Sequence, residues 1–276
     1  MRGLILPDLD CDKTVKRLTD FIKLELSKTG LNRLVLGISG GVDSALVAFL
    51  SAKAAGAENL VGVMLPYKTS DPQNEKDAEN LIFHLGLKKY RIDITAQIDI
   101  YFEQFPDADK NRRGNKMARE RMSVLYDISA LEKAVVIGTS NKTEIFLGYG
   151  TIYGDLACAF NPLGDLYKTH VRSLARHIGV PANIVNKTPS ADLFRGQTDE
   201  GDFGFSYEDI DRLLFSLVDK GMTPEQCENE GFSRAMVKRV IQLMISNEFK
   251  RNSPPVAKLS DYSAGIDFRC PREWDK

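Results

Sequence analysis

The chain has 276 residues, room for one large or two small domains around a real core, with 43% hydrophobic and 27% charged residues. Its 37 Lys and Arg nearly cancel 38 Asp and Glu, leaving a formal charge of −1, which excludes a global pull toward nucleic acid or an anionic membrane and makes any anion site local. No apolar run approaches the ~18 residues of a membrane span, Asp8 and Asp10 interrupt the stretch a signal peptide would need, and four scattered cysteines and three histidines show neither a disulfide framework nor zinc spacing, so a cytosolic protein is expected.

Val15, Leu18, Ile22 and Leu26 recur at helical spacing ahead of Gly30 and predict an amphipathic helix. Leu34–Ile38 reads as an apolar strand, Ser39-Gly40-Gly41 as a turn, and Asp43–Ala55 as a helix stopped by Gly56. A second strand follows at Leu60–Leu65, a helix at Asp77–Leu85, a third strand at Lys89–Ile94, a long helix at Lys116–Leu131 and a fourth strand at Ala134–Ile137. The pattern loosens through Gly148, Gly150, Gly154 and Pro162. It returns as a helix carrying Val171, Leu174, Ala175 and Ile178, with Asn183–Lys187 as a short fifth strand. Ala191–Phe205, polar and rich in Gly and Asp, predicts a mobile loop placed to act as a lid. Ser206, Thr223-Pro224 and Ser233 then start three helices, and Pro254-Pro255 ends regular structure. Strands alternating with helices predict an α/β fold: a doubly wound, mostly parallel, five-stranded Rossmann-like sheet. The chain is read as a single domain over 1–276, with a helical C-terminal part over about 206–252 and an extended tail over 253–276.

The segment Gly37-Ile38-Ser39-Gly40-Gly41-Val42-Asp43-Ser44 lies between a strand and a helix. Paired glycines let backbone approach a ligand, and the free N–H groups of the turn and helix end form an anion cradle suited to phosphate. Val42 and Asp43 stand where a Walker A loop needs Gly and Lys, and the spacing is not that of G-x-G-x-x-G. A carboxylate beside a phosphate cradle repels it unless a divalent cation lies between, and hard Mg²⁺ bridges such oxygens. The plainer alternative makes Asp43 and Ser44 simple helix caps.

Ser39-Gly40-Gly41-Val42-Asp43-Ser44 resembles the S-G-G-x-D-S loop of the ATP pyrophosphatases (adenine nucleotide α-hydrolase type), which split ATP to AMP and pyrophosphate. Further segments narrow the resemblance: Gly114–Met122, Gly138–Glu144, Tyr153-Gly154-Asp155, Asn161-Pro162-Leu163, Lys168 and Pro189–Leu193 stand in an order and spacing similar to NAD synthetase, over about Leu34 to Arg251. The likeness is to the ammonia-using form, since no nitrilase-like glutaminase stretch precedes the loop. It implies a ligase that amidates deamido-NAD with ammonia through an adenylated intermediate, with release of AMP and pyrophosphate, working as a homodimer. Whether free ammonia or a separate glutaminase supplies the nitrogen stays open.

By the same resemblance, Gly37 to Ser44, Leu65, Thr139, Lys168 and Ser190 would bind ATP, and Asp43 and Glu144 would hold Mg²⁺. Lys168 would neutralise charge on the phosphates, Arg119 and Asp155 would contact deamido-NAD, and Asp155 would take a proton from ammonium. Standing alone, Glu144 would be a first-turn helix acid, Lys168 a solvated lysine and Asp155 a turn residue. The chain departs from many relatives at Ile152, Ala159 and Phe249, all on the dinucleotide side. Arg113, Arg121 and the histidines His84, His170 and His177 read as supporting or surface residues, and Trp274 as part of a tail that could clasp a second subunit. Two other readings remain: an ATP pyrophosphatase amidating or thiolating a different substrate, and a nucleotide-sensing module without turnover. Thiolation of tRNA is disfavoured by the lack of a C-x-x-C pair and of basic excess, and a sensor by the intact Asp43, Glu144 and Asp155.

Overall fold

The computed structural model describes residues 6–190, 192, 194 and 198–263. Strands β1 (Arg33–Gly37), β2 (Leu60–Met64), β3 (Lys88–Arg91) and β4 (Ala134–Val136) form a sheet in the order β3-β2-β1-β4, with every pair parallel. Successive side chains of a strand point to opposite faces, and the cores follow that parity. Leu34 and Leu36 of β1 join one cluster with helices α1 (Cys11–Ser27), α2 (Val42–Ala55), α3 (Pro72–Leu85), α7 (Lys168–Ile178) and α8 (Ala182–Val185). Val35, with Val61 and Val63 of β2, joins the other, beneath α4 (Thr95–Glu103) and α5 (Lys110–Glu132). Both faces are therefore covered, as an all-parallel sheet requires. The outer strand β3 is closed to further pairing by its charge, Lys88, Lys89 and Arg91 being exposed.

The sheet has four strands rather than the five expected. Asn183–Lys187 is not a strand: Pro181 caps helix α8, and Ile184 and Val185 bury against the α2 side of the sheet instead of its edge. At that edge the short segment Ala159-Phe160 runs beside β4, with a parallel bridge from Ile137 to Phe160. Helices α4 and α6 (Lys142–Leu147) had no counterpart in the sequence reading, and α3 and α5 begin earlier than expected. In each of those two an Asp N-cap, Asp71 and Asp109, accepts a first-turn backbone N–H.

Part of the expected lid is also different. Within Ala191–Phe205, Thr198 caps a short helix α9 (Asp199–Phe203), and Phe203 is buried edge-on between the rings of Tyr149 and Tyr207. In residues 198–205 one apolar ring, Phe203, and one buried acid, Asp199, face inward. Ala191, Leu193 and residues 195–197, including Gly196, lie outside the described residues, as do Cys270 and Trp274. The remaining cysteines, Cys11, Cys158 and Cys227, are free thiols.

A third cluster joins α6, α9, α10 (Tyr207–Leu214), α11 (Pro224–Asn229) and α12 (Arg234–Ser246). Its tie to the α/β body is Asp211 of α10, which is fully buried. One carboxylate oxygen accepts from Thr143 Oγ1 at 2.5 Å, and the other accepts from the backbone N–H and the hydroxyl of Thr169, both at 2.8 Å. Asp211 thereby supplies a cap to the first turn of α7, whose N-cap residue Tyr167 offers none.

Burial pushes the Asp211 pKa from 3.8 up to about 6, against the pull of its three hydrogen bonds. Because the folded value lies above the unfolded one, the native state holds the extra proton between roughly pH 4 and 6, and the stability tied to it is complete below that window and lost above it. Asp211→Asn removes this titration. Urea unfolding of both proteins should show the stability of wild type relative to the variant falling as pH rises, with a slope of at most about 1.4 kcal/mol per pH unit. A difference that stays flat from pH 4 to 7 would show Asp211 ionised throughout.

Candidate active site

The carboxyl ends of β1, β2 and β4 open into a cleft of about 840 Å³. The loop after β1 forms its floor, and its sequence dictates its shape. Gly40 has φ +79°, and a Cβ there would lie 2.2 Å from the carbonyl oxygen of Asn74, so only glycine fits. Gly41 begins α2 without any side-chain cap, which leaves the first-turn N–H groups unclaimed by the helix. Ser44 Oγ donates to the Gly41 carbonyl at 3.1 Å and accepts from the Ser39 N–H at 3.3 Å, folding the loop over itself. Gly37, Ile38, Ser39, Gly41, Val42, Asp43 and Ser44 all line the cleft.

Above this floor three charges meet. Lys168, the first residue of α7 and almost wholly buried, donates from Nζ to Asp43 Oδ2 at 2.5 Å and to Glu144 Oε1 at 3.1 Å. Burial alone would discharge the ammonium, but Asp43 and Glu144 override it and hold the pKa above the usual lysine range. Burial pushes Glu144 the other way, upward, with Asp43 adding repulsion and Lys168 opposing both. Asn141 organises the acids: Nδ2 donates to Asp43 Oδ1 at 2.9 Å, and its backbone N–H donates to Glu144 Oε2 at 3.3 Å in a capping box that starts α6. Glu144 is thus both the helix-cap acid of the plainer reading and a partner of Lys168. The Tyr207 ring covers the ammonium at 5.3 Å. Its hydroxyl donates to Asp199 at 2.9 Å, and Tyr149 donates to the same carboxylate at 3.0 Å.

Asp155 stands on the cleft wall and accepts the Thr151 N–H at 2.8 Å. Desolvation by the surrounding protein raises its pKa, against that hydrogen bond and the charge of Lys250. Lys250 is held nearby through the carbonyls of Gly148, at 2.7 Å, and Gly150, at 2.9 Å. Leu65, Thr139 and Ser190 also line the cleft. Arg119 does not join them in this chain; it is exposed on α5 and donates to the Ile152 carbonyl at 3.2 Å.

Arg121, set aside in the sequence reading, is on the wall instead. Its Nε donates to the Leu65 carbonyl at 3.0 Å, and burial lowers its pKa. Helical phase carried the missing signal: Asn115, Ala118, Arg121, Met122 and Leu125 share the cleft-facing side of α5, and Arg119 falls off it. Lys187 and Asp199 were missed for a different reason, since neither belongs to a local motif and only the fold brings them to the cleft.

Residues 14–254 match the sequence profile described as NAD synthase. The chain belongs to this family. Among members of the NAD synthase family it is similar to the NH(3)-dependent NAD(+) synthetase of Chlorobaculum parvum, 48% identical over 259 residues that make up 94% of each chain. The protein of that name in Fusobacterium nucleatum is 44% identical over 91% of this chain and 98% of its own. Two solved structures superpose well: NMN synthetase from Francisella tularensis, with TM-score 0.81, 30% identity and coverage of 92% of this chain and 100% of that one, and NH3-dependent NAD synthetase from Campylobacter jejuni, with TM-score 0.78, 35% identity and coverage of 91% and 100%. Among the described residues of this NAD synthase family member, no helix is long and apolar enough to cross a membrane.

Proposed function

We propose that this chain amidates the nicotinate carboxylate of deamido-NAD with ammonia in the cytoplasm, splitting ATP to AMP and pyrophosphate. The observation that carries the reading is the buried Lys168 held by Asp43 and Glu144 directly above a glycine loop that presents backbone N–H groups. The relatives' names agree with it. A carboxylate is a poor electrophile with a poor leaving group. Attack of its oxygen on the α-phosphorus of ATP expels pyrophosphate and forms an acyl adenylate; ammonia then attacks the carbonyl carbon and AMP leaves. The loop from Ser39 to Ser44 would cradle the phosphates, Lys168 would stabilise charge building on them, and Thr139, Leu65 and Ser190 would complete the ATP site. Asp155 would hold ammonium and accept the proton it sheds.

Asp43 and Glu144 fit a magnesium ion. They are hard oxygen donors that both reach Lys168 Nζ at the cleft, and among the described residues no group of three His, Cys, Asp or Glu side chains could hold a metal by itself, so water and substrate phosphate would have to complete its coordination. Mg²⁺ is held in this incomplete way, by one or two carboxylates with the remaining positions left to water and substrate phosphate. When bound, it would neutralise phosphate charge and orient the leaving pyrophosphate.

Arg119, facing away from the cleft, is better placed for a ligand that spans two subunits. The outer surface of α4, α5 and the turn between them exposes Ile100, Tyr101, Phe105, Tyr126 and Leu131, which supports a homodimer across it. A second reading has one observation in its favour: the Francisella structure is an NMN synthetase, and this chain departs from the resemblance at Ile152, Ala159 and Phe249, on the dinucleotide side. On that reading the acceptor would be nicotinate mononucleotide.

Incubation with ATP, Mg²⁺, ammonium and each acceptor in turn should yield NAD, AMP and pyrophosphate with deamido-NAD; faster turnover of the mononucleotide would select the second reading, and release of ADP with orthophosphate would exclude both. Asp155→Asn should still release pyrophosphate and form the acyl adenylate, while amide formation slows by roughly 10²–10⁴-fold, the usual worth of a positioned general base. If that variant cannot adenylate, Asp155 belongs to the ATP side. Light scattering should give twice the chain mass, reduced to the monomer by charged substitutions at Ile100 and Tyr101, and a monomeric wild type would refute the dimer.

A further inference from the structure

Lys187 lies beside the phosphate loop and invites assignment as another phosphate ligand, but its hydrogen bonds say otherwise. An ammonium has three N–H donors. Lys187 Nζ donates to the Gly40 carbonyl at 3.3 Å, to Asn74 Oδ1 at 2.9 Å and to Asp77 Oδ2, so all three are committed within the protein. Asp77 is buried in α3 and is itself fixed by Gln73 Nε2 at 2.8 Å and Asn183 Nδ2 at 2.9 Å. The anchor is held on several sides, and among the described residues its hydrogen bond to the loop is the one to the Gly40 carbonyl.

We propose that Lys187 is a positioning residue that clamps the Gly40 carbonyl against α3 and thereby fixes the conformation in which the loop meets the phosphates. In a trans peptide the carbonyl and the following N–H point in opposite directions. Holding the Gly40 oxygen on Lys187 turns the Gly41 N–H the other way, where it donates to Ser39 Oγ at 3.2 Å. Ser39 and Gly41 both line the cleft, while Gly40 is pressed onto the Asn74 backbone. The same helix start also holds the chain beyond Lys187: Asn74 Nδ2 donates to Asp192 Oδ2 at 3.0 Å, and the Asp71 N–H donates to both Asp192 oxygens, at 3.2 and 3.3 Å. The inference rests on the reading that this loop binds ATP phosphates.

The test compares wild type, Lys187→Met, Asp77→Asn and the Lys187→Met/Asp77→Asn double variant by thermal unfolding, by calorimetric ATP affinity with Mg²⁺, and by the KM values of ATP and deamido-NAD. Lys187→Met should weaken ATP binding roughly 10-fold or more, with little change in the KM of deamido-NAD, and should lower Tm because Asp77 is left buried and unpaired. The double variant removes both charges and should recover much of the lost Tm while ATP affinity stays weak; recovery of both together would reduce the pair to a structural ion pair. Asp77→Asn should also weaken ATP binding, because the clamp loses its anchor. A direct phosphate ligand freed from Asp77 would instead bind ATP as well as wild type or better, overturning the proposal. If wild type binds ATP but makes no NAD, the functional reading fails and the calorimetric comparison still decides on the clamp; if wild type does not bind ATP, both fail.

Discussion

A buried ammonium is tolerable only with charged partners at hydrogen-bond distance, and the site is built around that demand. Taking one ion out of water costs several kcal/mol, and removing one partner of a buried pair is worse than never having formed it. Lys168 meets Asp43 and Glu144 at 2.5 and 3.1 Å, and each of the three lies in the first turn of a different helix on a different stretch of chain. Without the lysine, two carboxylates would face each other with no cation between them. Without either acid, the lysine would sit buried with half its compensation. The triangle therefore fixes the relative placement of α2, α6 and α7 at the carboxyl end of the sheet.

Such a triangle needs its corners held from behind, and the C-terminal helices do this. Asp211 touches Thr143 and Thr169, the immediate neighbours of Glu144 and Lys168, and the Lys168 backbone N–H donates to Thr143 Oγ1 at 3.0 Å. One carboxylate on α10 thus ties together the two helix starts that carry the site. Tyr207, on the same helix, packs its ring over the ammonium and passes its hydroxyl to Asp199. The helices of the last third are not a mere appendage packed on the α/β body; they form part of the scaffold of the site.

How much of this was legible in the sequence follows from the range of each signal. The first four strands, α2 and α7 were readable because apolar periodicity and Gly or Pro punctuation are local. The glycine loop after β1 was readable because Gly40 and Gly41 sit beside Asp43 in the chain. The false fifth strand came from the same local reading: Ile184 and Val185 are β-branched and apolar, and nothing nearby says that they bury against α2 rather than at a sheet edge. Arg121 was passed over by attention to motif position instead of helical phase. Lys187, Asp199 and Asp211 carry no local signature at all, for their side-chain partners lie 8 to 147 residues away on separate elements.

The two lysines beside the loop show why counting donors separates roles that sequence proximity confuses. Lys187 directs its three N–H groups to Gly40, Asn74 and Asp77, and a phosphate could gain it only by breaking one of those bonds. Lys168 directs two to Asp43 and Glu144, which among the described residues leaves one N–H for an oxygen arriving from the cleft. The first therefore shapes backbone and the second is equipped to meet charge. Their surroundings also differ: the Lys187–Asp77 pair is neutral in itself, whereas Lys168 stands between two acids, of which Glu144 has its pKa raised by burial and by Asp43. On the proposed function, a divalent cation accompanying the phosphates would give the loop a reason to carry an aspartate at its own helix start.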